Sequence, residues 1–302
     1  MKVFLTGGTG FIGRHVVRAL LERGDDCVVV SRQDANPWDD DRVRVVRGDP
    51  TRSGPWQSAL GGCDAVINLA GAPLVDPPHR WTTARKNVIR ASRVQTTLTM
   101  VEAMRAAAPA PAVLLSSSAV GYYGSHGDTT LDETAPPGTD FLARLCVEWE
   151  NAARTAQDVA RVVLLRTAPV LGPGGGVLAP MLTPFKLGLG GAWGSGTQWW
   201  SWVHIADVVG IVLFALDGTL TGAVNVTAPT PVRVAEFVES LGDVLGRPTF
   251  ARIPEFALRL ALGEAAETLL ASQRVLPRRA QDGGYTHRFP ELRPALAEVL
   301  GR

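Results

Sequence analysis

The residues whose spacing most clearly serves chemistry are the glycines of Gly7-Gly8-Thr9-Gly10-Phe11-Ile12-Gly13, which follow a β-branched run (Lys2 to Thr6) and precede an amphipathic stretch (Phe11 to Arg23). In that setting Gly7 permits a tight turn, Gly10 lets backbone approach a pyrophosphate, and Gly13 brings helix against sheet, so that the helix N-terminus faces the phosphates. Such a turn takes a dinucleotide. It lacks the Lys-Ser/Thr of a nucleoside-triphosphatase P-loop. A second run, Cys27 to Ser31, ends at Ser31-Arg32, about where a carboxylate would hold the ribose hydroxyls of NAD. An arginine there pairs with the extra phosphate of NADP, each charge-assisted hydrogen bond contributing about 1.5–3 kcal/mol. NADP is expected over NAD.

Acid and base groups are scarcer. Ser118 lies at the end of a further apolar run, with Tyr122 and Tyr123 close behind it. The only other tyrosine is Tyr285, the only lysines are Lys2, Lys86 and Lys186, and no Tyr stands four residues before a Lys. His204 and Asp207 form an H-x-x-D pair in which Asp207 reads as a helix-start residue. His15, His79, His126 and His287 have no ligand spacing, and Cys27, Cys63 and Cys146 never form C-x-x-C, so no metal site and no disulfide framework are expected. G-x-S-x-G and H-E-x-x-H are both absent. Trp199, Trp200 and Trp202 suit either stacking on a flat or sugar-like ligand or packing in a core.

These residues need a scaffold, and the first 170 or so positions supply an alternation of strands and helices. Strands are read at Lys2 to Thr6, Cys27 to Ser31, Val43 to Val46, Ala65 to Leu69, Ala112 to Ser116 and Arg161 to Arg166, most of them without polar alternation and so buried on both faces. Helical patterns fall at Phe11 to Arg23, Thr82 to Ala107 and Phe141 to Gln157. The fold class is α/β, a Rossmann-type doubly wound parallel sheet with a smaller, mostly helical C-terminal lobe. Residues 1–170 form the nucleotide domain, with 206–228 returning to it through a helix and the strand Ala223 to Val226; 171–205 and 229–302 make the smaller lobe. Glycine-rich stretches at Gly172 to Gly176 and Gly188 to Gly196 read as irregular backbone, suited to tight turns or close approach to a ligand. Helices follow at Val232 to Leu245, Pro254 to Leu262, Glu264 to Leu270 and Leu292 to Leu300.

The chain has 302 residues, and its 30 Lys plus Arg against 29 Asp plus Glu leave a net charge of +1, too little to attract a phosphate backbone or an acidic bilayer. No apolar run approaches the ~20 residues of a membrane span, and the first residues do not read as a cleaved leader. A cytoplasmic protein without nucleic-acid or membrane partners is expected; self-association into a homodimer is left open.

Four segments together resemble the extended short-chain dehydrogenase/reductases of the nucleotide-sugar epimerase type: GGTGFIG, INLAGAP (Ile67 to Pro73), SSSAVGYYG (Ser116 to Gly124) and RTAPVLGP (Arg166 to Pro173). Trp81, Ser92-Arg93, Trp149-Glu150, GLGG (Gly188 to Gly191), WSWVHIAD (Trp200 to Asp207) and SQRVLPRR (Ser272 to Arg279) resemble, more narrowly, an atypical branch called epimerase-family or cell-division-inhibitor-like, which carries its own C-terminal extension. The resemblance implies that the pyrophosphate lies on Gly7, Thr9, Gly10, Phe11 and Ile12 and the 2'-phosphate on Ser31 and Arg32. It implies that Leu69, Ala70 and Gly71 line the adenosine side, that Arg93 touches the coenzyme, and that Thr167 to Val170, with Pro169, border the nicotinamide.

Relatives of this type use Ser, Tyr and Lys, the last two as Y-x-x-x-K, the ammonium lowering the tyrosine pKa. Alignment on Glu150 puts Leu142 at the tyrosine position and Cys146 at the lysine position. Ser118 stays at the serine position as a substrate hydrogen-bonding candidate, Tyr122 or Tyr123 is the substitute acid, and Lys86 or Arg93 is the substitute cation. The leading expectation is an NADP-dependent oxidoreductase or epimerase-like enzyme for a small carbonyl, hydroxyl or nucleotide-sugar-like substrate. The alternative is a non-catalytic NADP(H)-binding sensor or regulator.

Overall fold

The β-branched runs form a seven-stranded sheet: β1 (Lys2–Thr6), β2 (Asp26–Ser31), β3 (Val43–Arg47), β4 (Ala65–Asn68), β5 (Val113–Ala119), β6 (Arg161–Thr167) and β7 (Gly222–Val226). The computed structural model describes residues 1–75 and 80–302; His79, among the histidines above, lies outside them. Every pairing in the sheet is parallel and the order is β3-β2-β1-β4-β5-β6-β7, the Rossmann order extended by one strand. Val3 lies opposite both Cys27 and Ala65, so β1 is an interior strand from which the chain winds outward to β2 and β3 on one side and to β4 and its successors on the other. The crevice at its C-terminal end is where a sheet of this type takes its ligand.

Strand alternation divides the core. Val3 and Leu5 face a layer with Val16, Val17, Leu20, Val208 and Ile211, while Phe4 faces the other with Trp56, Met100, Met104 and Leu114. The first layer is covered by α1 (Phe11–Glu22) and the helix Ile205–Asp217; the second includes α3 (Thr96–Ala106). The long helical pattern is α2 (Thr83–Arg90) and α3 joined by a π-helical turn, Ala91–Gln95, which the periodicity did not mark. A fourth helix, α4 (Phe141–Arg154), follows, with Asp140 capping it through the Ala143 amide at 2.9 Å.

The smaller lobe gathers the helices Leu178–Lys186, Val234–Leu245, Glu255–Leu262 and Leu292–Val299 around Trp193, Trp200, Trp202, Phe237 and Leu241. Two of the three clustered tryptophans, Trp200 and Trp202, are therefore core; Trp199 is half-buried between the guanidinium groups of Arg233 and Arg274, at 4.1 and 4.4 Å. The second glycine-rich stretch is more regular than its composition suggests, since it contains the strand Gly191–Trp193, paired with Ala251–Ile253; between the two stretches lies the helix Leu178–Lys186. Val232–Arg233, read as helix, pairs instead with Trp199–Trp200, and the helix starts at Val234. Long-range pairing overrides local pattern in elements this short.

Candidate coenzyme and substrate cleft

The β1–α1 turn is cut to its glycines. Gly7 has φ +67°, and a Cβ on it would lie 2.6 Å from the Leu69 carbonyl carbon; one on Gly13 would lie 2.2 Å from the Gly7 carbonyl oxygen. Gly10 is the N-cap of α1, and no side chain caps that end, which leaves the first-turn amides open to an anion. Behind the turn, Thr6 Oγ1 donates to Asn68 Oδ1 at 2.6 Å and accepts from the Ala70 amide at 3.3 Å, binding the ends of β1 and β4 together. The Phe11 ring packs on Gly172, Gly175 and Gly176, where added Cβ atoms would come within 2.2–2.9 Å of it. That glycine stretch thus makes room for a protein side chain. Arg32 is exposed at the end of β2, and Ser31 Oγ accepts from the Gln33 amide at 3.1 Å.

Beside this turn opens a cleft of about 400 Å³, and Ile12, Leu69, Ala70, Gly71, Arg93, Ser118 and Thr167 to Pro169 all line it. Leu142 and Cys146 reach it from α4, so the positions aligned with the tyrosine and lysine do face the cleft, carrying groups unable to replace them. Burial pushes the Cys146 thiol up to about 12, which keeps it protonated. Trp81, Phe141 and Trp149 complete an apolar wall.

The tyrosines point elsewhere. Val120, Gly121 and Gly124 line the cleft, whereas the Tyr122 ring packs against the Arg166 guanidinium, whose Cζ is 3.4 Å from the ring centroid. Tyr123 donates to Asn225 Oδ1 at 2.7 Å and accepts from Arg166 Nη1 at 3.0 Å, and burial pushes its hydroxyl up to about 12. Tyr122, expected as the substitute acid, is not among the residues that line the cleft, and its ring face is covered by the cation behind it. Ser118 does reach the cleft, but its Oγ donates to Glu150 Oε1 at 2.9 Å. Glu150 is buried and also accepts from Arg166 Nε and Nη2 at 2.7 and 2.9 Å and from Arg154 Nη2 at 3.1 Å.

Of the two candidate cations, Lys86 is held at 2.6–2.7 Å by both carboxylate oxygens of Glu264, while Arg93 stands in the cleft. Arg93 sits in the π-helical turn, a feature frequent at functional sites. Its Nη1 donates to the Ile89 carbonyl at 3.2 Å and Ser92 Oγ at 3.3 Å, and its Cζ lies 5.3 Å from the Trp149 ring centroid.

His204 and Asp207 turn out to be structural. His204 is 1% exposed, accepts the Ala206 amide through Nδ1 at 3.2 Å and meets Glu298 through Nε2 at 2.9 Å. It, not Asp207, caps the helix Ile205–Asp217. The Asp207 carboxylate accepts from Tyr285 Oη and the amides of Arg288 and Phe289 at 2.7–2.9 Å, tethering the C-terminal segment. Sequence reasoning missed Gln273, whose Nε2 donates to the Val120 and Gly124 carbonyls at 3.0 Å, and the wall supplied by Glu264, Glu267 and Thr268. No local spacing ties those residues to a cleft whose lining residues from the rest of the chain end at Pro169.

A glycine turn at the switch point of a parallel sheet, with a second lobe walling the adjoining crevice, defines a Rossmann protein of the extended short-chain dehydrogenase/reductase class. The chain belongs to the NAD dependent epimerase/dehydratase family, whose model matches residues 3–226; residues 253–299 match a domain of unknown function, DUF1731. It is similar to the epimerase family protein SDR39U1 of Mus musculus, 40% identical over 303 residues, covering 99% of this chain and 100% of the relative. It is also similar to the chloroplastic SDR39U1 homolog of Arabidopsis thaliana, 38% identical over 307 residues, covering 99% and 87%. The crystal structure of human epimerase family protein SDR39U1 (isoform 2) with NADPH superposes at a TM-score of 0.91 with 36% identity, covering 100% of this chain and 99% of that one. Among the described residues no helix is long and apolar enough to cross a membrane.

Proposed function

We propose that the protein binds NADP(H) and acts as an oxidoreductase or epimerase-like enzyme on a small carbonyl- or hydroxyl-bearing substrate, without a Tyr-Lys pair. The observation that carries this reading is the juxtaposition of an uncapped glycine turn with an apolar cleft that holds Arg93. The human relative crystallised with NADPH supports the choice of coenzyme. The cradle fits the coenzyme: Gly7, Gly10 and Gly13 keep clear the space that Cβ atoms would fill, the α1 amides would meet the pyrophosphate, and Arg32 is exposed at the end of β2, where it would pair with a 2'-phosphate. When bound, the coenzyme supplies or accepts the hydride.

The chain's residues do the rest. Trp81, Phe141 and Leu142 exclude water from the reacting centre. Ser118, its proton committed to Glu150, offers lone pairs to a substrate hydroxyl. Arg93 replaces the missing ammonium as a fixed positive charge toward an oxygen that becomes negative, and because it keeps its protons, the proton itself comes from water at the cleft mouth. A reducing cytosolic setting suits the three buried thiols.

Nicotinamide absorbance with a carbonyl panel tests the reading on wild type, Arg93→Gln and Ser118→Ala. Turnover that Arg93→Gln loses while NADPH still binds supports it. Tight NADPH binding with no turnover of any carbonyl moves the protein to the non-catalytic sensor class.

A further inference from the structure

We infer that the outer face of the smaller lobe, where Leu187, Leu189, Phe250, Phe256 and Leu260 stand beside Lys186, Arg247 and Arg252, docks on an anionic lipid surface. The inference is independent of the coenzyme reading above.

The first reason is apolar exposure. The five apolar residues are 66–82% exposed and together present on the order of 600 Å², the upper end of what an ordinary monomer leaves uncovered. They belong to one region. The parallel pairing of Gly191–Trp193 with Ala251–Ile253 lays their two segments side by side, and a Cβ on Gly188 would lie 3.9 Å from Pro248 Cγ. The helix Glu255–Leu262 is apolar on opposite sides: Leu258 and Leu262 pack on the core of the lobe, while Phe256 and Leu260, each two positions or about 200° away, face outward. A helix apolar all round is one that is covered on both sides.

The second reason is charge. Lys186, Arg247 and Arg252 are exposed, and their side chains have no counter-charge or hydrogen-bond acceptor among the described residues. The acids nearest the two arginines in the chain, Asp243 and Glu255, are paired with Arg293 at 3.3 Å and Arg259 at 2.7 Å. The net charge of +1 gives the chain no overall attraction to an acidic bilayer, so the attraction is local to these three cations. Unpaired cations beside protruding apolar groups match an anionic headgroup layer, with attachment at its surface and no span across it. Side chains this exposed stand out from the surface and form no groove, which suits shallow insertion and not the seating of a partner helix. Two copies placed face to face would bring the three cations toward their own images. The docked face continues into the cleft: the Leu260 carbonyl accepts from the Arg80 guanidinium, and Glu264, Glu267 and Thr268, just beyond the helix, line the cleft wall.

Co-sedimentation of the purified chain with sucrose-loaded vesicles tests the inference, comparing phosphatidylcholine alone with phosphatidylcholine containing about one-third phosphatidylglycerol, in ~0.1 M salt. Binding to the anionic vesicles is expected to be at least about tenfold tighter, and about 0.5 M salt should release most of the wild-type chain. Phe256→Ser/Leu260→Ser should weaken it about tenfold and Arg247→Gln/Arg252→Gln should bring it near the neutral-vesicle level, both with melting temperatures within about 2 °C of wild type. Arg14→Gln/Arg18→Gln, which removes two exposed cations of α1, should leave binding within about twofold. Equal binding to the two vesicles, binding to neither, retention at high salt, or an equal loss in the α1 variant overturns the inference. So does a dimer in sedimentation velocity that Phe256→Ser/Leu260→Ser dissociates, which assigns the face to a second copy.

Discussion

At the β1–α1 turn the groups that face a ligand are backbone amides, held in place by glycines that have no alternative at their positions. A short distance away in the same crevice, the groups that face a ligand are side chains, and there Leu142 and Cys146 occupy the positions that the resemblance to extended short-chain dehydrogenase/reductases aligns with a tyrosine and a lysine. The first region is constrained by sterics that a substitution at Gly7 or Gly13 violates. The second is constrained only by the chemistry it performs, so the residues could change without loss of the fold. Behind it, Ser118, Glu150, Arg166, Tyr122, Tyr123 and Asn225 form one buried polar assembly that holds β5, β6, β7 and α4 together. What looked like a reservoir of acids is a brace.

If that contrast holds, the largest effect belongs to the brace. Arg166→Met leaves Glu150 buried beside Ser118 and the half-exposed Arg154, and should cost about 3–5 kcal/mol of stability, read from urea midpoints. A loss below about 1 kcal/mol would mean the assembly is not structural. Next comes the turn: Gly7→Val meets Leu69 backbone at a positive φ, and NADPH affinity should fall about 100-fold, worth roughly 2.7 kcal/mol, in a fluorescence titration.

Arg32→Ala sharpens the coenzyme side. Loss of a charge-assisted bond at an exposed site should reduce NADPH-over-NADH preference about tenfold, with NADH affinity unchanged. Ser118→Ala should cost only about 1 kcal/mol in stability, because Glu150 retains its two arginines.

The smallest effect is one of pH. Burial, outweighing the nearby Glu298, holds His204 below its ordinary value of 6.5. The unfolded chain therefore takes up the proton first; the stability linked to this residue is complete above about pH 6.5 and is lost as pH falls through the lower folded value. His204→Asn, which keeps a capping side chain, should show a shallower decline in melting temperature from pH 7.5 to 5.5 than wild type.

The sheet was legible because its strands are continuous β-branched runs, and β1 to β6 fall within about three residues of where the sequence placed them. The glycine turn was legible because its spacing admits one geometry. The absence of a Tyr-Lys pair could also be read directly, since it is a statement about residue types. What could not be read was direction: Tyr122 and Tyr123 follow Ser118 closely, and only the turn Val120–Tyr123 and the Arg166 guanidinium decide that they face away from the cleft. Arg93 was in view as a cation, but its aim depends on a π-helical turn that no periodicity marks. Gln273 and Glu264 belong to the cleft through the docking of the second lobe, where Arg274–Val275 pairs with Thr130–Leu131, a contact with no local signature.

The central claim is that this crevice pairs an intact NADP cradle with a chemistry resting on Arg93. Parallel calorimetric titration of NADPH and NADH into purified, coenzyme-free protein tests its foundation most directly. The account predicts one site per chain and at least tenfold tighter binding of NADPH; the absence of heat with either coenzyme, or a preference for NADH, would contradict it.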